Sequence, residues 1–138
     1  MPQLKTLRES IVINAGPSRI WSVLTKPEYS RQYYYDLEIR SGWVAGSEIY
    51  WDNEEGIIAK KGKIRNIIPG MFIEFTIQNA SGPDNTVILT RYELQTDEDG
   101  IKLSVMQEIP DESGPGFKHH QQIWRIMLQK IKWLAEYS

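Results

Sequence analysis

The chain has 138 residues, with 16 Lys and Arg against 18 Asp and Glu, two His and no Cys; that length suits a single domain over 1–138. The lack of cysteine excludes disulfides and thiolate metal sites, and the interspersed charges, net -2, leave no basic tract that would favour nucleic acid as a partner. No apolar run approaches the roughly 20 residues that span a bilayer and residues 1–10 lack the apolar core of a signal peptide, so the expectation is a cytoplasmic protein with no membrane insertion.

Residues 4–14 read as a strand, with Leu7, Ile11 and Ile13 on one parity. Ala15-Gly16-Pro17-Ser18 breaks it. Proline lacks the N–H that a helix start leaves unpaired, so Pro17 opens a short helix over 17–24, where Ile20, Trp21 and Leu24 recur at helical spacing. Pro27 opens a second short helix through Tyr33. Neither is long enough to stand alone, which makes the pair a cap or brace. From Tyr35 the period changes to two: Leu37 and Ile39, then Ile49 and Trp51 after a turn at 43–47. After a polar turn at 52–56, a long strand over 57–68 places Ile58, Lys60, Gly62, Ile64, Asn66 and Ile68 on its inward face; Ala59, Lys61, Lys63 and Arg65 read as solvated. Pro69-Gly70 turns the chain. Three more inward faces follow: Ile73, Phe75 and Ile77; Ile88, Thr90, Tyr92 and Leu94; Leu103, Val105 and Gln107, the last two strands joined by a hairpin turn at 97–100. Beyond a breaker-rich linker at 110–116, a helix over 117–137 carries Trp124, Met127, Leu128, Ile131, Leu134 and Ala135 as one apolar stripe.

Strands joined by short turns form antiparallel meanders, and a terminal helix with one apolar stripe packs on the concave face of such a sheet. The expected class is α+β: a curved antiparallel sheet wrapped around a long C-terminal helix, with two short helices after the first strand.

The order and spacing of several short motifs resemble the SRPBCC, or START-like, superfamily. Within it the chain is similar to the branch related to the activator of heat-shock-protein-90 ATPase. Ile13-Asn14-Ala15-Gly16-Pro17-Ser18-Arg19-Ile20-Trp21 resembles the "ixApxxxVW" opening, and Leu24-Thr25-Lys26-Pro27-Glu28 the "LTxPE" step. Trp43-Val44-Ala45-Gly46 resembles "WxxG", Gly62-Lys63-Ile64 through Pro69 "GxVxxxxP", and Gly100 to Val105 "GTxLxV"; Trp124 opens a "WxxxLxxLK"-like helix. The sequence departs from the pattern at Ile101, at Gln107 in place of a common histidine, and at Tyr33-Tyr34-Tyr35 in place of a tryptophan-rich stretch. The resemblance implies a helix-grip fold. Functions in that superfamily run from lipid and hormone binding to polyketide cyclisation and chaperone regulation, so the fold does not give the function.

Five Trp and seven Tyr either fill a core or line a pocket. The inward parities gather Trp51, Ile64, Asn66, Phe75, Tyr92, Val105, Gln107, Trp124 and Met127, with Gly62 leaving room where the helix passes. Such a set predicts a pocket of about 300–1,000 Å³ between sheet and helix. Tyr33 and Tyr35 close one end, and His120 stands at the mouth one turn before Trp124. Asn66 and Gln107 face inward towards water or ligand, or else a bulge exposes them; Lys60 reads as snorkelling outward. His119 and His120 point about 100° apart and share no metal as an i, i+4 pair does, so neither metal nor cofactor is expected. The leading reading is non-catalytic binding of a small hydrophobic or amphipathic molecule, oriented by one to three of Tyr35, Asn66, Tyr92, Gln107 and His120. One alternative is a chaperone or stress-response regulator acting through a protein partner. A second is a cyclase- or hydrolase-type enzyme with His120 or a tyrosine as acid or base. A monomer or weak homodimer is expected.

Overall fold

The computed structural model describes residues 4–110 and 116–137. Strand β1 (Leu4–Ile13) gives way to α1 (Pro17–Thr25) and α2 (Pro27–Tyr33). Each helix has proline in its first turn, and α1 stops at Lys26 because the residue before Pro27 is pushed into extended backbone. Both are held by tertiary contacts. Ile20, Val23 and Leu24 of α1 are buried. In α2 the buried Ser30 hydroxyl donates to the Leu37 carbonyl at 2.9 Å and accepts the Ile39 N–H at 2.8 Å.

Six strands follow: β2 (Glu38–Ser41), β3 (Glu48–Asp52), β4 (Ile58–Ile68), β5 (Phe72–Asn79), β6 (Ile88–Asp97) and β7 (Gly100–Pro110). They form one antiparallel sheet with β1, in the order β1-β7-β6-β5-β4-β3-β2. The chain meanders by hairpins from β2 to β7, and β1 closes the far edge against β7. The two short helices carry the connection from one edge of the sheet to the other.

The last helix, α3 (Gly116–Tyr137), lies in the curve of the sheet, with Trp124, Met127, Leu128, Ile131, Leu134 and Ala135 buried. This is the expected α+β helix-grip architecture, with the expected stripe facing in. Residues 111–115 of the predicted linker lie outside the described residues.

Polar contacts pin α3 mainly at its C-terminal half. Arg19 donates to the Leu134 carbonyl at 2.9 Å, neutralising orphan acceptors at a helix end. Lys132 Nζ donates to the Val12 carbonyl at 2.7 Å, and Glu136 accepts the Asn14 N–H at 2.8 Å. Towards the N-terminal half the tethers are the exposed Arg125–Glu9 pair at 3.0 Å, Lys5 over the Phe117 ring, and the buried Trp124 indole, which is bonded to Gln107 of β7. The tethers to neighbouring backbone thus gather at the C-terminal end, and the opening described below lies beside the N-terminal half.

Strand β4 departs from simple alternation. The pairing with β5 shifts register between Ile64 and Asn66, so Ile67, not Asn66 or Ile68, turns to the core and pairs with Ile73. Asn66 is exposed and its amide donates to Glu74 at 3.3 Å. The inward reading of Asn66 and Ile68 is thereby corrected: the extra bulge residue flips the parity beyond Ile64. Ala59, read as solvated, packs partly against the core.

Candidate functional site

Cross-strand pairing stacks three rows on the concave face. Ile73 pairs with Tyr92 and Tyr92 with Val105; Phe75 pairs with Thr90 and Thr90 with Gln107; Ile77 pairs with Ile88. The first two rows meet α3 at Trp124. The Trp124 indole Nε1–H donates to Gln107 Oε1 at 2.8 Å, and Gln107 Nε2 donates to Thr90 Oγ1 at 3.0 Å. Trp124, Gln107 and Thr90 are all buried. Gln107 faces inward as parity required, but it already has partners: the indole and the threonine hydroxyl satisfy an amide that sequence alone left without them.

A row of rings runs across the interior from Tyr34 to Trp51, Phe75, Tyr92 and Trp124, with successive centroids 6.2, 5.7, 5.9 and 5.8 Å apart. These separations are within the range of favourable aromatic pairs. The rings nearly fill the middle of the molecule. They leave a void of about 10 Å³, bordered by Tyr33, Tyr34, Trp51, Phe75, Tyr92, Gln107 and Trp124 among others.

The larger opening lies one row further out, beside the N-terminal half of α3. It is a cleft of about 280 Å³. Ile77, Ile88, Ile109, Phe117, Ile123, Trp124 and Met127 supply its apolar surface; Tyr34, Tyr35, Lys60, Asn79, Asp84, Thr86, Gln107 and His120 supply its polar surface. Along the rim Lys60 Nζ donates to Asn79 Oδ1 at 3.3 Å, Asn79 Nδ2 donates to the Asp84 carbonyl at 3.3 Å, and the Thr86 N–H donates to Asp84 Oδ1 at 3.1 Å. The Lys60 ammonium also sits 5.8 Å from the Tyr35 ring centre. Partial burial lowers the Lys60 pKa, with the Asp84 charge opposing the shift. Burial pushes the Tyr33, Tyr34 and Tyr92 phenols well above their ordinary value, so all three stay neutral hydrogen-bonding groups at neutral pH.

The residues singled out from sequence therefore separate into groups. Tyr35, Gln107, His120, Trp124 and Met127 line the cleft, while Trp51, Phe75 and Tyr92 border the inner void. Ile64 and Val105 are fully packed core residues that line neither space; Ile64 pairs with Phe75 and Val105 with Tyr92. Asn66 is on the opposite face. Of the two tyrosines expected to close one end, Tyr35 reaches the cleft mouth, 54% exposed. Tyr33 is buried and its hydroxyl donates to the Leu24 carbonyl at 2.8 Å. Tyr34, which borders both spaces, was not singled out. Its position depends on the left-handed backbone of Tyr35 and Asp36 (φ 50° and 57°) that ends α2, and period-two reading does not register such a turn. Lys60, read as snorkelling outward from an inward-facing position, has its ammonium at the cleft rim.

Gly62 has a different role from the one expected. A Cβ built there would lie 1.7 Å from the Thr76 carbonyl oxygen. The glycine admits the close approach of β5, not the passage of α3.

The cleft offers an apolar floor, one partly desolvated cation, a half-buried imidazole and neutral phenols. His120 makes no hydrogen bond to another described residue. Among the described residues no group of three or more His, Asp or Glu could hold a metal ion, and no helix is long and apolar enough to cross a membrane.

No protein of curated function matches the sequence closely enough to carry a comparison. Solved structures share the fold. Protein CV1439 from Chromobacterium violaceum superposes with a TM-score of 0.72 at 21% identity, covering 96% of this chain and 98% of that one. The Aha1 dimer from Colwellia psychrerythraea gives 0.75 at 20% identity, covering 96% and 97%. A solution structure from Cytophaga hutchinsonii gives 0.78 at 24% identity, covering 96% and 94%. At such identities the likeness establishes the fold. The family model described as "Activator of Hsp90 ATPase homolog 1-like protein" matches residues 14–136, and with that match over nearly its whole length the chain belongs to that family.

Proposed function

We propose that this protein binds a small hydrophobic or amphipathic molecule in the cleft between the outer row of the sheet and the N-terminal half of α3, without altering it chemically. The observation that carries the reading is the cleft of about 280 Å³, with isoleucine, phenylalanine and tryptophan surfaces below and Lys60 and His120 at its rim. That size is close to the lower end of ordinary ligand sites, about 300 Å³, and an apolar floor facing an equally extensive polar rim suits an amphipathic molecule. Residues 1–138 act in this reading as one ligand-binding unit in the cytoplasm.

Titration with an environment-sensitive fluorescent fatty acid tests it. Saturable binding is expected, with a rise in melting temperature that follows RT ln(1 + [L]/Kd). Ile88→Trp, which fills the cleft from β6, should abolish binding while the protein stays folded. Unchanged binding by that variant would contradict the proposal.

A second reading has its own observation. The outward face of α3 presents Ile126 (58% exposed), Trp133 (58%) and Tyr137 (72%). With Ile123 and Lys130, these positions follow the 3-and-4 spacing of a helix-pairing seam. We propose weak self-association through this seam. The description of the Colwellia psychrerythraea neighbour as a dimer supports it. Sedimentation should show a concentration-dependent dimer that Trp133→Glu removes; a monomer at all concentrations would contradict this reading.

A further inference from the structure

Of the three phenols around the inner void, Tyr33 is engaged with the Leu24 carbonyl. Tyr92 is 6% exposed, and its hydroxyl has no hydrogen-bond partner among the described residues; nor has that of Tyr34, which borders the void with it. Among the described residues Arg91 Nε is the one sealed side-chain atom without a hydrogen-bond partner, so these two hydroxyls touch accessible space, where a water or a ligand atom can meet them. The void of about 10 Å³ is roughly the space of one water-sized atom. It is continuous in its lining with the cleft, since Tyr34, Gln107 and Trp124 border both. The recess therefore adjoins the cleft across these shared residues.

Resting on the cleft reading above, we infer that the ligand ends in a neutral carbonyl oxygen, received in that recess by the hydroxyls of Tyr34 and Tyr92. An sp² oxygen carries two lone pairs and no proton, so it complements two O–H donors. Gln107 Oε1 already takes the Trp124 N–H. A carboxylate fits less well, because burying its charge needs a cation. Lys60, the one lysine of the cleft, stands at the rim and does not border the void. Both phenols stay protonated, since burial raises their pKa, and so both keep a proton to donate.

The test uses 6-propionyl-2-(dimethylamino)naphthalene, whose emission moves to longer wavelength when its carbonyl accepts hydrogen bonds, beside the 6-propyl analogue that lacks the oxygen. The wild-type protein should bind the ketone about tenfold more tightly than the propyl compound, with red-shifted bound emission. That ratio is what one to two net hydrogen bonds supply. Tyr92→Phe and Tyr34→Phe keep the rings and remove only unpartnered oxygens. Each should weaken ketone binding by about 3- to 10-fold and shift its emission to shorter wavelength, while leaving affinity for the propyl analogue unchanged. Equal binding of both dyes by wild type, with ketone affinity and emission indifferent to both substitutions, would overturn the two-phenol recess and leave the cleft intact. Failure of wild type to bind either dye would overturn the cleft reading and this inference with it.

Discussion

Gln107 shows what one residue contributes at the centre of this fold. Its alternation with Leu103 and Val105 on β7 made its inward direction readable from sequence; its partners were not readable, because Thr90 and Trp124 reach it from 17 positions away in either direction. Gln107→Leu removes the acceptor of the indole N–H and the donor to Thr90. It should cost about 1–3 kcal/mol, the penalty of leaving a buried polar group unpaired, measured by urea denaturation. The tyrosines give a pH prediction. The phenols of Tyr33, Tyr34 and Tyr92 have folded-state pKa values raised above 10.0 by burial. Above pH about 10 the unfolded chain loses those protons while the folded protein holds them. Their contribution to stability is thus complete below that pH and declines as pH rises past it. Titration followed at 295 nm should show those three phenols ionising only as the protein unfolds. All seven tyrosines ionising together near pH 10 in the folded protein would contradict their burial.

At the scale of the element, β4 is where sequence and structure part. Ile58 to Ile68 alternates well enough to be recognised as a strand, and its partners β3 and β5 were recognised by the same signal. The bulge between Ile64 and Asn66 was not legible. It is a property of the pairing with β5, and either parity of the segment carries both polar and apolar residues. Gly62 has the same cause: only the position of the Thr76 carbonyl explains it. Two substitutions separate these roles. Asn66→Ala, on the exposed face, should change stability by no more than about 0.5 kcal/mol. Gly62→Ala drives a Cβ into backbone and should destabilise by about 1–3 kcal/mol, the range for overpacking. Thermal denaturation of the two side by side checks the order; a neutral Gly62→Ala would mean that β4 and β5 are not so close.

At the scale of the whole molecule, the architecture was legible because two strong periodicities succeed one another: two from β2 to β7, and 3.6 along α3. All six residues of the predicted α3 stripe are buried. The position of the cleft was harder to read. Inward parity predicted an opening in the middle of the sheet, where five rings instead close the space almost completely. The opening lies at the row of Ile77 and Ile88, beside the N-terminal half of α3. Parity assigns a face; how far a helix stands off from it depends on tertiary contacts such as those of Arg19, Lys132 and Glu136, which no periodicity records.

The central claim is that ligand enters this cleft, and Trp124 reports on it from inside. The chain has five tryptophans, and their indole N–H signals can be followed by proton–nitrogen NMR during titration with the naphthyl ketone. The Trp124 signal, whose proton is held by Gln107 at the cleft floor, should shift saturably, while that of Trp133 on the outer face of α3 stays in place. A shift at Trp133 with Trp124 unmoved would place the ligand on the wrong side of the helix and contradict the account.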